Sequence, residues 1–360
     1  MPDTLNPPVR YTPDVEDVAP DEAETIDGLN QAFDEILKTT AEEYGHAVRA
    51  VHAKPHGVLK ATITVADNLP TELAQGLFAA PGRYDALMRL STNPGDILDD
   101  AIGLPRGLAL KVIGVEGERL PDAGEARTQD FIMVNAPAFL AKTPKQFLGN
   151  LKLLAKTTER AEWAKKALSK ILQPVETGLQ AVGLESATLK NLGGSPNVHP
   201  LGEAYWSQTP FRFGAYIAKF QLVPVSQGLT ALAGMIIDTA GRPDAIREDV
   251  AASMQGLDAV WELRVQLCRD LETMPIEDPS VEWKEADSPF VTLATLHAQA
   301  QDSWDAERVA AVNETMRFSV WTGLAAHQPL GGINRARRGA YPHSSEFRAR
   351  VNGCPIHEPA

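Results

Sequence analysis

Short segments that alternate apolar and polar residues fill the middle of the chain, and segments with helical periodicity flank them. Alternation and β-branched residues, bounded by turn-forming Asn-Pro-Gly and Pro-Arg-Gly, predict strands over 58–65, 86–91, 107–113, 130–134, 211–223, 260–268 and 289–297. Because helices are predicted before, within and after these strands, the pattern favours a single α+β domain over alternating βαβ units.

Several parts of the chain have the spacing of amphipathic helices. The first follows Asp21, a suitable N-cap residue, and its apolar positions are Ile26, Leu29, Phe33, Ile36 and Leu37. Two helical stretches are predicted within 143–172, and the second ends at Pro174. Another helix is predicted over 307–323, and Tyr341 is expected at or near a helix.

The length of 360 residues is enough to bury a large core and suits one large β-barrel domain. Residues 1–20 are rich in proline and acidic side chains, and we predict an extended N-terminal arm there. The predicted single domain covers 21–350, and 351–360 form a predicted C-terminal tail.

Charge and composition exclude several classes of partner. The net charge of −13 disfavours contact with a phosphate backbone, so we expect no nucleic-acid partner. No run of about 18 or more apolar residues occurs, so we expect no membrane span. The start lacks the basic and apolar parts of a secretory signal. Two cysteines, Cys268 and Cys354, do not make a disulfide framework, which favours a cytoplasmic location.

Tyr341 stands in an unusual sequence context. Arg337 precedes it by four residues, which places both side chains on one face if the segment is helical. A phenol ionises only near pH ~10 in water, so a tyrosinate at neutral pH needs a strong partner. A guanidinium within hydrogen-bond reach and a metal ion would supply one. The alternative is an ordinary surface or core tyrosine, and Tyr341 alone does not decide between them.

Five short motifs, taken in chain order, resemble motifs of the haem catalases. They occupy 49–54, 89–92, 105–111, 135–139 and 337–341. Respectively, they are similar to the family's Arg-Val-Val-His-Ala-Lys, Arg-Phe-Ser-Thr, Pro-Arg-Gly-Phe-Ala-Val-Lys, Asn-Thr-Pro-x-Phe and Arg-x-x-x-Tyr. Each motif alone is a weak signal, but all five in the family's order are specific. The resemblance is clearest over 46–147 and 334–348.

The resemblance implies an antiparallel β-barrel with haem b in a pocket beside it. Tyr341 would be the axial ligand of the iron, with Arg337 as its tuner. His52 would be the acid–base residue, supported by Ser91 and helped by Asn135. The resemblance also implies that Arg49, Arg89 and Arg348 bind the haem propionates. Val51 and Phe147 would contact the haem ring.

The implied function is haem-dependent breakdown of hydrogen peroxide or organic hydroperoxides, by catalase activity, peroxidase activity or both. A small organic electron donor is a candidate partner, and the resemblance leaves a homo-oligomer such as a dimer open. The chain is short for a catalase. It resembles the small catalase-related group, which includes peroxidases and hydroperoxide isomerases.

One position departs from the family's pattern. The family carries two adjacent asparagines before its Thr-Pro, and the first helps to bind peroxide. Here the first position is Val134, and the second is Asn135. Either a local shift such as a β-bulge brings Asn135 into the pocket, which we favour, or the amide is lost. Loss of the amide would weaken peroxide binding and slow dismutation.

Three other functions compete with this one. A haem-dependent isomerase of fatty-acid hydroperoxides would use the same tyrosinate iron, and an apolar channel would favour it. A haem carrier would need Tyr341 and the arginines but not His52 together with Ser91. A metallohydrolase is disfavoured, because the eight histidines show no zinc-ligand spacing.

Overall fold

The computed structural model describes residues 5–158 and 195–359, in which a sheet of nine strands is surrounded by helices. The strands are β1 (Lys54–Val65), β2 (Arg83–Thr92), β3 (Arg106–Ile113), β4 (Thr128–Val134), β5 (Tyr205–Trp206), β6 (Phe211–Phe213), β7 (Tyr216–Pro224), β8 (Ala259–Leu267) and β9 (Val291–Ala298). The helices are α1 (Glu22–Tyr44), α2 (Pro144–Thr158), α3 (Gln227–Thr230), α4 (Ala245–Met254), α5 (Ala306–Ala310) and α6 (Gly332–Asn352).

Eight of these strands close into an antiparallel barrel. The order is β1, β2, β3, β4, β5, β7, β8 and β9, after which β9 pairs with β1 again. The ring closes at β7, where Gln221 and Leu222 pair with β5, while 216–218 pair with β6. This barrel with surrounding helices confirms the predicted α+β fold.

Alternating side chains fill the barrel. Along β1, Leu59, Ala61, Ile63 and Val65 are buried in its core, while Lys60 between them is exposed. The period of two that predicted this strand is therefore the inside–outside alternation of a barrel wall.

Helices α1, α2 and α6 pack against one another beside the barrel, around an apolar cluster that includes Leu29, Leu37, Leu151, Ala336 and Phe347. The start of α6 is tied to distant parts of the chain by Arg335, which forms ion pairs with Glu16, Glu22 and Glu277. Negative charge near a helix N-terminus is favourable, so these carboxylates also stabilise α6 through its dipole.

Two sequence predictions about local structure are wrong. The segment 211–223 is not one strand, because a turn at Gly214, with φ +59°, divides it into β6 and β7. The helix predicted over 307–323 ends early: α5 stops at Ala310, a π turn covers Ala311–Thr315, and Met316 is extended. Arginine side chains bind the backbone carbonyls of this segment, so those carbonyls do not need helical partners.

Three further expectations have mixed outcomes. Asp21 does precede α1, but its side chain binds Lys145 Nζ at 2.7 Å instead of capping the helix. The helical stretch predicted to end at Pro174 lies outside the described residues. Within the part of the chain that the structure describes, no helix has both the length and the apolar character needed to cross a membrane.

Packing in the barrel predicts a large effect of Leu59→Ala. Leu59 is fully buried, so truncation should lower the free energy of unfolding by about 2–5 kcal/mol. Lys60→Ala, at the exposed next position of β1, is the control and should change it by less than about 0.5 kcal/mol. Denaturant unfolding of both variants measures the difference, and equal effects would contradict the assigned inside–outside alternation.

Candidate active site

A cavity of about 240 Å³ lies between the barrel wall and the helices α1, α2 and α6. All ten residues that the sequence singled out line it: Arg49, Val51, His52, Arg89, Ser91, Asn135, Phe147, Arg337, Tyr341 and Arg348. Motifs from both ends of the chain therefore converge on one site.

The ring of His52 lies against the backbone of β3 at Gly107. A Cβ atom at Gly107 would be 2.5 Å from His52 Cε1 and 2.6 Å from Nδ1, so only glycine leaves room for the ring. Gly107 pairs with Ser91 on β2 and with Val134 on β4. Paired positions on neighbouring strands face the same side of a sheet, so Ser91 and Val134 flank the ring.

His52 is held in its neutral form. Burial, followed by the positive charges of Arg89 and Arg337, lowers the pKa of His52 to about 3. Its Nδ1 is buried and has no hydrogen-bond partner among the described residues, whereas Nε2 keeps access to the cavity. No hydrogen bond joins Ser91 to His52 within the described residues, so support of His52 by Ser91 stays a prediction.

Asn135 lines the cavity, but its amide is engaged in the wall. Its Oδ1 accepts a hydrogen bond from Arg106 N at 2.9 Å, and its Nδ2 donates to Glu203 Oε1 at 2.8 Å. The favoured shift is not observed, because β3 and β4 pair without a register shift up to Val134. Val134 therefore occupies the position beside His52, because an uninterrupted ladder fixes which residue faces the cavity.

Arg89 and Arg348 in the cavity wall are buried and Arg49 is half-buried, and none of the three forms an ion pair with a carboxylate among the described residues. Burial lowers the pKa of Arg49, Arg89 and Arg348, to about 9 for Arg89, and their mutual repulsion adds to this for Arg49 and Arg89. The Nε atoms of Arg49 and Arg348 are buried and make no hydrogen bond to any described residue. Since buried cations need an anion or strong hydrogen bonds, this wall is suited to receive negative charge.

Residues 312–318, here called the arginine-binding segment, hold these guanidinium groups in place. Arg49 and Arg348 both donate to the backbone carbonyl of Met316, at 3.0 and 3.2 Å. The carbonyl of Asn313 accepts from Arg348 at 2.5 Å, and its side-chain Oδ1 accepts from the third arginine at 2.9 Å. The carboxylate of Glu314, in the same segment, acts to raise the pKa of Arg49 and Arg348, but it forms no ion pair with either arginine in the described parts of the chain. Three guanidinium groups face this single carboxylate, so the wall keeps a net positive charge.

Tyr341 lies on α6, one turn after Arg337, and both side chains reach the cavity. Arg337 Nη1 donates to Thr209 Oγ1 at 3.3 Å and to Asn334 Oδ1 at 3.1 Å, and its guanidinium lies 5.7 Å from the centre of the Phe139 ring. No hydrogen bond joins Arg337 to Tyr341 in the described parts of the chain. The role of Arg337 as a tuner of the tyrosine therefore stays a prediction.

Apolar side chains complete the cavity. Phe147 on α2 meets Phe139 edge to face, with ring centres 5.3 Å apart, and Val51 packs against the cluster between the helices.

Sequence reasoning missed Asn313 and Phe318, because they lie in a segment whose periodicity predicted a helix. It also missed the steric role of Gly107, although that residue is part of the Pro-Arg-Gly motif.

Comparison with solved structures identifies the architecture. The chain is similar to a fungal catalase (17% identity, TM-score 0.59, covering 90% of this chain and 66% of that one). It is also similar to catalase A from Saccharomyces cerevisiae (15% identity, TM-score 0.59, covering 95% and 68%). A bacterial catalase is similar too (15% identity, TM-score 0.58, covering 96% and 64%).

The chain has a catalase-like fold. It spans about two thirds of the length of the catalases it matches. No family model matches the sequence, and no curated protein is similar to it in sequence. Identities of 15–17% show a shared fold and no more. The function therefore has to be inferred from this chain's own residues.

The contact between Gly107 and His52 predicts a large effect of Gly107→Ala. The added methyl group should displace the ring, and a displacement near 1 Å lowers turnover by about 10²-fold. Gly256→Ala is the matched control, because a Cβ there meets nothing within 4 Å. Peroxide turnover and circular dichroism of both variants test this, and full activity of Gly107→Ala would contradict the placement of His52.

The depressed pKa of His52 predicts the pH dependence of activity. A histidine pKa of about 3 in the folded protein keeps His52 neutral until the pH falls far below the ordinary value near 6.5. Peroxide turnover should therefore show no loss between pH 8 and about pH 5. Initial rates over this range, with folding followed in parallel, provide the test; an acid limb centred near 6.5 in folded protein would refute the assignment.

Proposed function

We propose that the chain binds haem in this cavity and uses it to break down hydroperoxides. The observation that carries the proposal is the convergence of a neutral histidine, a tyrosine and three arginines without carboxylate partners on one cavity. Haem would supply the redox chemistry, and the protein would supply its binding, orientation and protection.

The residues present fit haem. Its two propionates are the kind of anion that guanidinium groups bind, and Arg49, Arg89 and Arg348 form no ion pair within the described residues. Tyr341, on the helix face that also carries Arg337, would hold the iron, as a tyrosine does in catalase. Phe147 and Val51 would pack on the ring, and the haem expected from the resemblance is of the b type.

His52 would move the proton. Its neutral ring can accept a proton at Nε2 from a hydroperoxide that enters the cavity, and can return it to the departing oxygen so that water or an alcohol leaves. Ser91 and Val134 flank this position, so Ser91 is the one polar side chain in the row formed with Gly107. Asn135 would act only indirectly, by fixing the wall.

Val134 would affect which hydroperoxide the cavity binds best. A valine offers no hydrogen bond to hydrogen peroxide, which should be oriented less well and dismutated more slowly than beside an amide. Ile132 and Ala109 also line the cavity and extend this apolar surface. The same surface favours organic hydroperoxides, with a small organic molecule as the electron donor. It also makes a haem-dependent isomerase of fatty-acid hydroperoxides the second candidate function.

One experiment separates these activities. The purified protein is loaded with haem, and its absorption spectrum and oxygen release are followed while hydrogen peroxide is added. Rapid oxygen release would identify catalase activity. Slow release, with turnover of organic donors or lipid hydroperoxides, would identify peroxidase or isomerase activity. A protein that does not take up haem would refute the proposal.

Replacement of Tyr341 tests the axial ligand. Tyr341→Phe keeps the ring and removes the oxygen, so haem retention should fall and the spectrum should lose its tyrosinate character. Tyr216→Phe, on β7 and outside the cavity lining, is the control and should retain haem fully. Full haem content with an unchanged spectrum in Tyr341→Phe would rule out this ligand.

Replacement of His52 tests the proton transfer. His52→Ala should keep its haem and lose peroxide turnover by about 10²–10⁴-fold, the usual contribution of a general acid–base group. Stopped-flow reaction of loaded protein with peroxide measures this loss. Turnover within a few-fold of the parent protein would show that His52 does not carry the proton.

A further inference from the structure

The arginine-binding segment is also bound by residues 357–358, which do not line the cavity. The backbone N of His357 donates to the carbonyl of Thr315 at 2.6 Å. Arg317 Nε donates to Glu358 Oε1 at 3.3 Å. Residues 357–358 therefore hold the same short segment that binds the guanidinium groups of the cavity wall.

Glu358 also enters a buried cluster of charges on the barrel. Its Oε2 lies 2.6 Å from Lys111 Nζ on β3, and the Lys111 side chain is 0% exposed. Lys111 Nζ is 2.8 and 2.9 Å from the two carboxylate oxygens of Asp130. Burial raises the pKa of Asp130 above its ordinary value, and the nearby Lys111 ammonium opposes this shift. The buried ammonium thus has two carboxylate partners, Asp130 and Glu358.

Phe318 connects this cluster with the cavity. Lys111 Nζ lies 5.4 Å from the centre of the Phe318 ring, and the guanidinium of Arg49 lies 5.8 Å from it. Both cations are within the range of a cation–π contact with one ring. The position of Lys111, which Glu358 helps to fix, thus affects the ring that packs against a cavity arginine.

We propose that Glu358 is a positioning residue for the anion-binding wall of the cavity. By pairing with Lys111 and Arg317, it fixes the arginine-binding segment and, through it, Arg49 and Arg348. Glu358 does not line the cavity, so its influence has to pass through this segment. The proposal deepens the proposed function and rests on it where the anion is a haem propionate.

Haem retention is the first test. Glu358→Gln keeps the size of the side chain and removes its charge. Loaded with haemin, it should lose haem to excess apomyoglobin about tenfold faster than the parent protein, a typical coupling between separate sites. Glu358→Asp should recover part of the loss, and Glu272→Gln, an exposed acidic residue, should behave as the parent. A parental rate in Glu358→Gln would overturn the proposal.

A second measurement needs no haem. Hydrogen–deuterium exchange of the haem-free protein should be faster at 311–319 in Glu358→Gln, unchanged there in Glu272→Gln, and unchanged at β1 in both. Unchanged exchange at 311–319 would overturn the positioning role, and so would faster exchange throughout the protein, which signals lost stability alone. If the parent protein took up no haem, the proposed function would fail while this measurement still decided the role of Glu358.

Discussion

The proximity of three guanidinium groups in one cavity wall, two of them on buried side chains, is the constraint on which the site depends. Removal of a cation from water costs several kcal/mol unless opposing groups replace the water. Here the hydrogen-bond partners are backbone carbonyls and one asparagine side chain, and the carboxylate of Glu314 acts on Arg49 and Arg348 only through space. The remaining positive potential favours an anionic ligand. Through Arg89, it also helps to keep His52 unprotonated.

This constraint shapes the local fold. A regular helix through 311–318 would use its carbonyls within its own ladder, so they would not be free for arginine side chains. The π turn and the extended backbone that follows release those carbonyls toward Arg49 and Arg348. Arg348 lies on α6, so its hydrogen bonds join that helix to the segment, and the start of α6 is held by the carboxylates around Arg335. The segment and α6 are thus connected parts of the cavity wall.

Sequence reasoning found the parts of the site that short motifs carry. The period of two predicted the barrel strands, and each of the ten candidate residues does line the cavity. It failed where distant contacts override local periodicity, as at Asn313 and Phe318 in a segment with a helical pattern. It also placed Asn135 by analogy, whereas the uninterrupted ladder of β3 and β4 presents Val134. No local sequence pattern indicates that a residue such as Glu358 contacts distant parts of the chain.

The row of Ser91, Gly107 and Val134 explains how a rigid barrel can set chemical selectivity. All three positions belong to paired strands, so the ladder fixes their backbone positions and the face from which each side chain projects. Gly107 gives the His52 ring its room, and the flanking positions then decide which groups a peroxide meets beside it. In the proposed function, valine lies on one side and on the other a serine with no hydrogen bond to His52 in the described parts of the chain, so orientation of a small symmetric peroxide would fall mainly to His52. A hydroperoxide with an apolar body would gain contacts that hydrogen peroxide cannot make, and the balance of activities follows from that difference.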